Sequence, residues 1–402
     1  MHIMFCIPTY WARAANVGHR QGDTVYDHPT PIDAPGTLER TLESFLTLRD
    51  HDWSIHLIVS TTTPEIDAIA RQRVLNIIHG LPAKLQSTIT FAAAAEVEQL
   101  QHLLVGTVGF EFLSLVGYPA VRNIGLLAAT IAQADPVVMV DDDQVFEDPD
   151  FVLKVREGMQ WRVGGAPMLG WSGYCPEAHG GYRRVRAWEP WMEFWDKISA
   201  QNSAYDALIG VAKPRFKLTP LGFGGCLVLR QALFSTLPFD PNVGRGEDMD
   251  YVMNARMFGH PFYLDNQLFM RHLPPPRSHP QWRRFREDML RFLYQREKLR
   301  CQGSSGGTVR LTASDLSPYP GGFLTEELDR MILRASTSLT QQYTAAGDEE
   351  GAARSRENLT RAREQRFLQD PFLEFIERVK AWEGLLCVLT QQRQKFQFFL
   401  AR

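Results

Sequence analysis

Nowhere in the 402 residues is there a run of about 18 apolar residues, which excludes an ordinary membrane-spanning helix. The first residues, MHIMFCIPTYW, go straight into a strand pattern, with no charged leader and no small-residue cleavage site. Charge of one sign is also lacking. Lys and Arg total 43 against 46 Asp and Glu, for a net charge of -3, so no overall field gathers nucleic acid or an anionic membrane. Any phosphate must therefore be recognised locally. Cysteine is sparse: Cys6, Cys175, Cys226, Cys301 and Cys387 lie far apart, with no CxxC pair, which excludes a disulfide framework or a paired-thiol zinc site. Internal repeats and long low-complexity segments are absent as well. A soluble, cytoplasmic protein with reduced thiols is the expectation.

What is present is alternation. Short apolar runs at 2–8, 53–60, 88–92 and 136–140 read as strands, separated by helix-period stretches at 38–48, 65–79 and 120–133. Strand, helix, strand in this order predicts a doubly wound α/β sheet flanked by helices. In such sheets ligands collect at the carboxyl ends of the strands. Three of those ends are polar: Pro8-Thr9-Tyr10, Ser60-Thr61-Thr62-Thr63 and Asp141-Asp142-Asp143. Residues 151–300 are looser and rich in Gly and Trp, with a strand at 224–230 and a helix at 248–258. The Gly, Ser, Thr and Pro of 301–322 read as a linker. Residues 323–402, dominated by Gln, Arg, Glu, Leu and Phe at helical spacing, read as a helical appendage. The domain plan is thus 1–300 (halves 1–150 and 151–300), 301–322 and 323–402.

The stretch VVMVDDDQVFEDPDF, 137–151, sets three adjacent carboxylates at the end of an apolar strand. Like charges so close repel, and a hard divalent cation, Mg2+ or Mn2+, relieves the repulsion. Alternate residues of an extended chain point the same way, so Asp141 and Asp143 share a side. Asp143 is expected on the metal and Asp141 on a ribose or in the metal's outer sphere. Asp142, directed elsewhere, is expected only to line the donor site. A plainer reading, a solvated acidic turn capping a helix at Asp148-Pro149, suits Asp148 but not three carboxylates directly after a buried strand.

Two later segments join this one: LGFGGCLVLR at 221–230 and GRGEDMDYVMNARMFG at 244–259, followed by FMRHLPPP at 269–276. The ordered set of strand-DxD, Phe-Gly-Gly, Gly-Glu-Asp-x-Asp and a late histidine resembles the glycosyltransferase A fold. Residues 221–276 resemble the β-1,4-galactosyltransferase family, and the first half resembles the family-2 glycosyltransferases. The likeness covers about the first 300 residues and leaves the tail unexplained. It implies a metal-dependent hexosyltransferase: a sugar moves from a nucleotide diphosphate to an acceptor hydroxyl. On this resemblance 1–150 is the nucleotide-sugar half and 151–300 the acceptor half. Asp141 and Asp143 form the metal-binding DxD, His272 is the third ligand with His279 as fallback, and Glu247 and Asp248 line the acceptor pocket.

A carboxylate pair at a helix start can keep one member ionised through the helix dipole, which suits a base that takes the acceptor proton. Asp248 is the expected base, Glu247 orients the acceptor, and Asp250 anchors the loop. The Glu-Asp helix favours inversion. Gly224 and Gly225 would let backbone approach sugar or phosphate. In YPAVRNIGLL, Arg122 and Asn123 begin a helix, and the family-2 likeness implies that they touch the donor. The chain departs from that family in offering Ser60-Thr61-Thr62-Thr63 where an aspartate commonly reads the base, and in a long insert after the first strand. Trp161, Trp171, Tyr174, Trp188, Trp191 and Trp195 could stack on sugars, though core packing is the commoner use. The basic amphipathic segment 281–300, or the helical tail, could lie on anionic lipid and suit a lipid-linked acceptor, although packing on the body is the commoner use. Two other classes compete. A sugar-nucleotide nucleotidyltransferase should carry a Gly-rich basic loop after strand one, which IPTYWARAANVG lacks. A noncatalytic nucleotide-sugar-binding protein should have lost the DxD or the Glu-Asp pair, and both are present.

Overall fold

The computed structural model describes residues 2–400 apart from 276–278, 304–307, 366 and 368; the first of these gaps falls in the proline run after His272 and the second in the expected linker. Eight strands carry the architecture: β1 (Ile3–Ala12), β2 (Trp53–Thr61), β3 (Ile89–Ala92), β4 (Val137–Met139), β5 (Gly170–Tyr174), β6 (Phe216–Leu218), β7 (Leu227–Leu229) and β8 (Phe262–Phe269). Their order across one mixed sheet is β6-β8-β5-β7-β4-β1-β2-β3. β1, β2, β3 and β4 run parallel, with Ile3 beside Trp53 and Met4 beside Val137. β7 reverses direction against both β4 and β5. The amino half thus has the expected parallel winding, and the sheet as a whole is mixed with helices on both faces.

Because side chains alternate along a strand, β1 feeds two cores. Ile3, Phe5 and Ile7 join one layer with α1 (Leu38–Ser44), α2 (Asp67–Gly80) and α3 (Phe151–Gln160). Met4 and Cys6 join the other, under α4 (Tyr118–Ala132). A strand buried on both faces must be apolar at every position, which is why 2–8 is a continuous apolar run.

The helix α4 is buried from Pro119 through Ile131. A helix apolar all round needs a cover on each side. The sheet is one cover. The other is the carboxyl-terminal helix α9 (Pro371–Gln391), whose Phe375, Trp382, Leu385 and Leu389 are buried in the same layer. Trp382 Nε1 also donates to the Phe234 carbonyl at 2.8 Å. The tail is helical, as expected, and it is packed as part of the core rather than hung from it. Leu311, Leu316 and Tyr319, from the expected linker, are likewise buried.

Residues 281–300 form the helix α6 (Gln281–Arg300), and α5 (Glu247–Met257) precedes it. The apolar stripe of α6, Phe285, Met289, Phe292 and Leu293, is buried in the protein. Arg286 pairs with Glu357 of α8 (Glu349–Glu364) at 3.0 Å, and α7 (Leu328–Ala345) packs beside α8. The stripe of 281–300 is thus packed on the body, the commoner of its two readings, and α9 packs against α4. Among the described residues no helix is long and apolar enough to cross a membrane.

Three smaller expectations shift. The helix after the acidic cluster starts at Phe151, and Asp148 accepts the Asp150 N–H at 3.0 Å and Lys154 Nζ at 2.6 Å instead of capping at its own position. The strand expected over 224–230 opens as a 3-10 turn, Gly224–Cys226. A helix at Ala94–Leu103 went unforeseen; Glu96 fixes its start by accepting the Ala93 N–H.

Trp382→Ala should lower the unfolding free energy by about 3–5 kcal/mol, the usual cost of removing a buried Trp. Urea denaturation followed by far-UV circular dichroism should show one cooperative transition; a separate, earlier transition of the tail would contradict a shared core.

Candidate active site

A cavity of about 360 Å³ opens where the carboxyl ends of β1 and β4 meet the Gly224 turn and the start of α5. Its hub is Arg122, near the start of α4, with 4% of its surface exposed. Nε donates to Glu247 Oε1 at 2.6 Å, Nη1 to the Gly224 carbonyl at 3.0 Å, and Nη2 to Asp141 Oδ1 at 3.1 Å. Burial disfavours its charge, but Glu247 and then Asp141 outweigh burial and hold the guanidinium above its ordinary value.

Gly224 is a glycine because of this arginine. A Cβ there would sit 2.6 Å from Arg122 Nη2, and at Gly225 one would sit 2.0 Å from Gln144 Nε2. Both glycines line the cavity, and the space beside each is taken by a protein side chain, Arg122 at Gly224 and Gln144 at Gly225.

Gly246, at φ 72°, turns the chain into α5, whose first two residues are the acids Glu247 and Asp248. Glu247 is buried on Arg122. Asp248 faces the cavity, its Oδ2 accepting the Gly224 N–H at 2.9 Å and its Oδ1 the Met249 N–H at 2.8 Å. Burial first, and the neighbouring Glu247 next, push the Asp248 carboxyl up to about 6. Asp250 anchors the helix as expected: Lys298 Nζ reaches Asp250 Oδ2 at 3.1 Å and Asp240 Oδ2 at 2.6 Å, all three side chains fully buried.

The late histidine meets the acidic cluster. Residues 271–272 pair antiparallel with 144–145, His272 opposite Gln144, and this brings His272 Nε2 to 3.3 Å from Asp143 Oδ2. Burial works to lower His272, but the hydrogen bond and charge of Asp143 prevail and raise it. Asp143 Oδ1 is buried without a partner. Burial, then the charge of Asp143, push Asp142 up to about 8. Hard carboxylate oxygen, an imidazole nitrogen and an orphaned anionic oxygen are a donor set that fits Mn2+ or Mg2+. The third expected member, Asp141, lines the same cavity with its Oδ1 on Arg122, and among the described residues no three His, Cys, Asp or Glu groups are gathered to hold an ion.

Of the other expected donor contacts, Tyr10 lines the cavity, its ring 4.2 Å from Tyr26 and 5.1 Å from Tyr118, with its hydroxyl buried and unpartnered. Pro8 and Thr9 belong to the body of β1, which continues to Ala12, and are not among the lining residues. Asn123 is spent on a two-way clip, its Nδ2 donating to the Phe239 carbonyl and its Oδ1 accepting the Phe239 N–H. That fully buried amide has no free group for a donor. His279, the fallback ligand, is at 2.6 Å from the Tyr26 carbonyl. Trp191 and Trp195 reach the cavity but are buried, Trp195 against Phe285 and Phe323, so packing is their main use.

Several lining residues escaped the sequence reading: Tyr26 and Asp27 beside Tyr10, and the cations Arg184, Lys197, Arg245 and Arg291. The available signal for Tyr26 and Asp27 is that the insert carrying them follows the first strand, at an end where ligands collect. The cations come from unrelated segments, with no motif spacing to join them.

No family model matches the chain, and no curated protein matches its sequence. Solved structures do resemble it. A mannosyltransferase, PcManGT from Pyrobaculum calidifontis, in complex with GDP-Man and Mn2+, is 13% identical with a TM-score of 0.46 over 97% of this chain and 87% of that one. A mycobacterial protein is 17% identical with a TM-score of 0.39 over 71% of each chain. TarS of S. aureus is 11% identical with a TM-score of 0.37 over 92% of this chain and 56% of that one. At these scores the likenesses carry no weight for chemistry, which rests on the residues above.

Arg122→Met should cost about 3–5 kcal/mol of stability, because it strands the buried Glu247 charge. Adding Glu247→Gln to that variant should recover part of the loss in urea titrations. No recovery would mean that Arg122 does not neutralise Glu247.

Proposed function

We propose that this chain is a metal-dependent glycosyltransferase of the GT-A fold, moving a hexosyl group from a nucleotide-diphosphate sugar to an acceptor hydroxyl with inversion. The observation that carries the reading is a single cavity with two different acid sites. One is the Asp143–His272 pair with its orphaned oxygen, and the other is Asp248, a carboxylate held by two backbone N–H groups and raised to about 6.

Asp143 and His272 would hold Mn2+ or Mg2+, with Asp141 and Asp142 beside them. When bound, the ion neutralises charge on the departing diphosphate. Asp248 accepts the acceptor's hydroxyl proton as that oxygen bonds to the anomeric carbon; the bond from that carbon to the diphosphate oxygen breaks, and the diphosphate leaves with the electron pair. A base near the working pH is suited to this step. The Gly224 and Met249 N–H groups fix the orientation of Asp248, and Arg122 fixes the Gly224 turn that supplies the first of them. Glu247, neutralised by Arg122, is left to position rather than to accept a proton. Tyr10 is on the donor side of this plan. We place the enzyme in the cytoplasm, in keeping with free thiols at Cys6, Cys175 and Cys226.

Donor hydrolysis across UDP-, GDP-, ADP- and dTDP-sugars with Mn2+ identifies the nucleotide. Against the preferred donor, Asp248→Asn should leave donor affinity within a few-fold and cut transfer by about 10²–10⁴. Asp248 works only when deprotonated, so wild-type transfer should fall about tenfold per pH unit below about 6 and level off above it. Turnover retained in Asp248→Asn, or an acid limb unchanged by the substitution, would remove Asp248 from this role.

A further inference from the structure

The wall beyond Asp248 is cationic. Lys197 at the start of the helix Lys197–Tyr205, Arg245 in the turn before α5, and Arg291 of α6 all line the cavity around Asp288. Lys197 Nζ is 2.5 Å from Asp288 Oδ2, and Arg291 Nη2 is 2.8 Å from Asp288 Oδ1. Arg245 pairs with Asp27 at 2.7 Å and reaches Glu287 at 3.4 Å. Lys197 and Arg291 thus share one carboxylate, while Arg245 has two within reach. Arg291 is 5% exposed, and its Nε is buried with no partner, although a guanidinium so deep in protein normally has every donor satisfied. The cluster adjoins the base. Arg291 passes beneath Gly246, where a Cβ would sit 1.8 Å from Nη1, and its charge is felt at Asp248. Arg184, by contrast, is felt at His272 on the metal side.

We propose that Lys197, Arg245 and Arg291 form an oxyanion subsite for the acceptor, which carries a phosphate or carboxylate group a few bonds from the hydroxyl facing Asp248. The position of that hydroxyl rests on the glycosyltransferase reading; the chemistry of the subsite does not. A planar guanidinium and an ammonium around one anion make charge-assisted hydrogen bonds, the strongest polar contacts a small ligand can make. Burial lowers Lys197 to about 7 even though Asp288 opposes it, and Arg291 and Arg245 lower it further, so the ammonium is under-compensated until an anion arrives. Asp288 alone does not fill this need. Burial works to raise its carboxyl, yet Lys197, Arg291 and Arg245 hold it well below the usual carboxylate range, as expected of a carboxylate bonded to two cations with a third nearby.

The test uses the full-length protein without donor or metal, at constant ionic strength set with NaCl. Inorganic phosphate, glycerol 3-phosphate, glycerate and glycerol are titrated by calorimetry and by thermal shift. At least one of the three anions should bind, glycerol should not, and Lys197→Gln should weaken the binding tenfold or more. Arg245→Gln should weaken it similarly and keeps the test readable if the first variant folds poorly. Phosphate-only or glycerate-only binding identifies which oxyanion the subsite takes. Binding of none of the anions, equal binding of glycerol, or affinity unchanged in both variants overturns the subsite. Because no donor is present, these outcomes are independent of whether transfer occurs.

Discussion

A guanidinium withdrawn from water loses its hydration shell, and protein tolerates it only where acceptors replace that shell. Arg122 meets this condition with acceptors from three distant parts of the chain: Asp141 after β4, the Gly224 carbonyl before β7, and Glu247 at the start of α5. These three segments are the floor and walls of the cavity. Holding Arg122 in place therefore fixes the strand end that carries the acidic cluster relative to the helix start that carries Asp248. Two features go with this constraint: a Glu247 paired to Arg122, and an Asp141 with one oxygen on the same guanidinium.

The cost of gathering so many charges is offset unevenly. Arg122 balances Glu247 and Asp141, and Lys298 balances Asp240 and Asp250 deeper in the protein. Asp143 has His272 on one oxygen and nothing on the other, while Lys197 and Arg291 divide a single Asp288. The unpartnered carboxylate oxygen on one side and the carboxylate shared by two cations on the other are the features from which we propose a cation at the first and an anion at the second.

Much of the amino half was legible because burial on both faces writes a continuous apolar run, and β1, β2, β3 and β4 fall within a few residues of the expected positions. The DxD and late-histidine motifs pointed to one place, and Asp143 and His272 do meet there. What could not be read was the direction of individual side chains. Nothing in YPAVRNIGLL says that Arg122 turns inward to two carboxylates while Asn123 closes on the Phe239 backbone: Glu247 and Phe239 are more than a hundred residues away, and Asp141 is 19 residues on, across a strand. Two glycines in a row signal missing side chains without saying whether ligand or protein fills the space. The tail was legible as helix from its spacing but its partner was not: α4 is buried on every side and needs a second cover, and α9 is that cover. The cationic wall was invisible because its members come from separate turns and helices.

The central claim is that the orphaned oxygen of Asp143 and the imidazole of His272 receive a divalent ion while Arg122 keeps Asp141 occupied. Anomalous diffraction at the manganese edge, from crystals grown with Mn2+ and a nucleoside diphosphate, tests it most directly. The account predicts a single peak within about 2.0–2.3 Å of an Asp143 carboxylate oxygen and of a His272 ring nitrogen. A peak elsewhere in the cavity, or Asp143 and His272 still paired to each other with no metal between them, would contradict it.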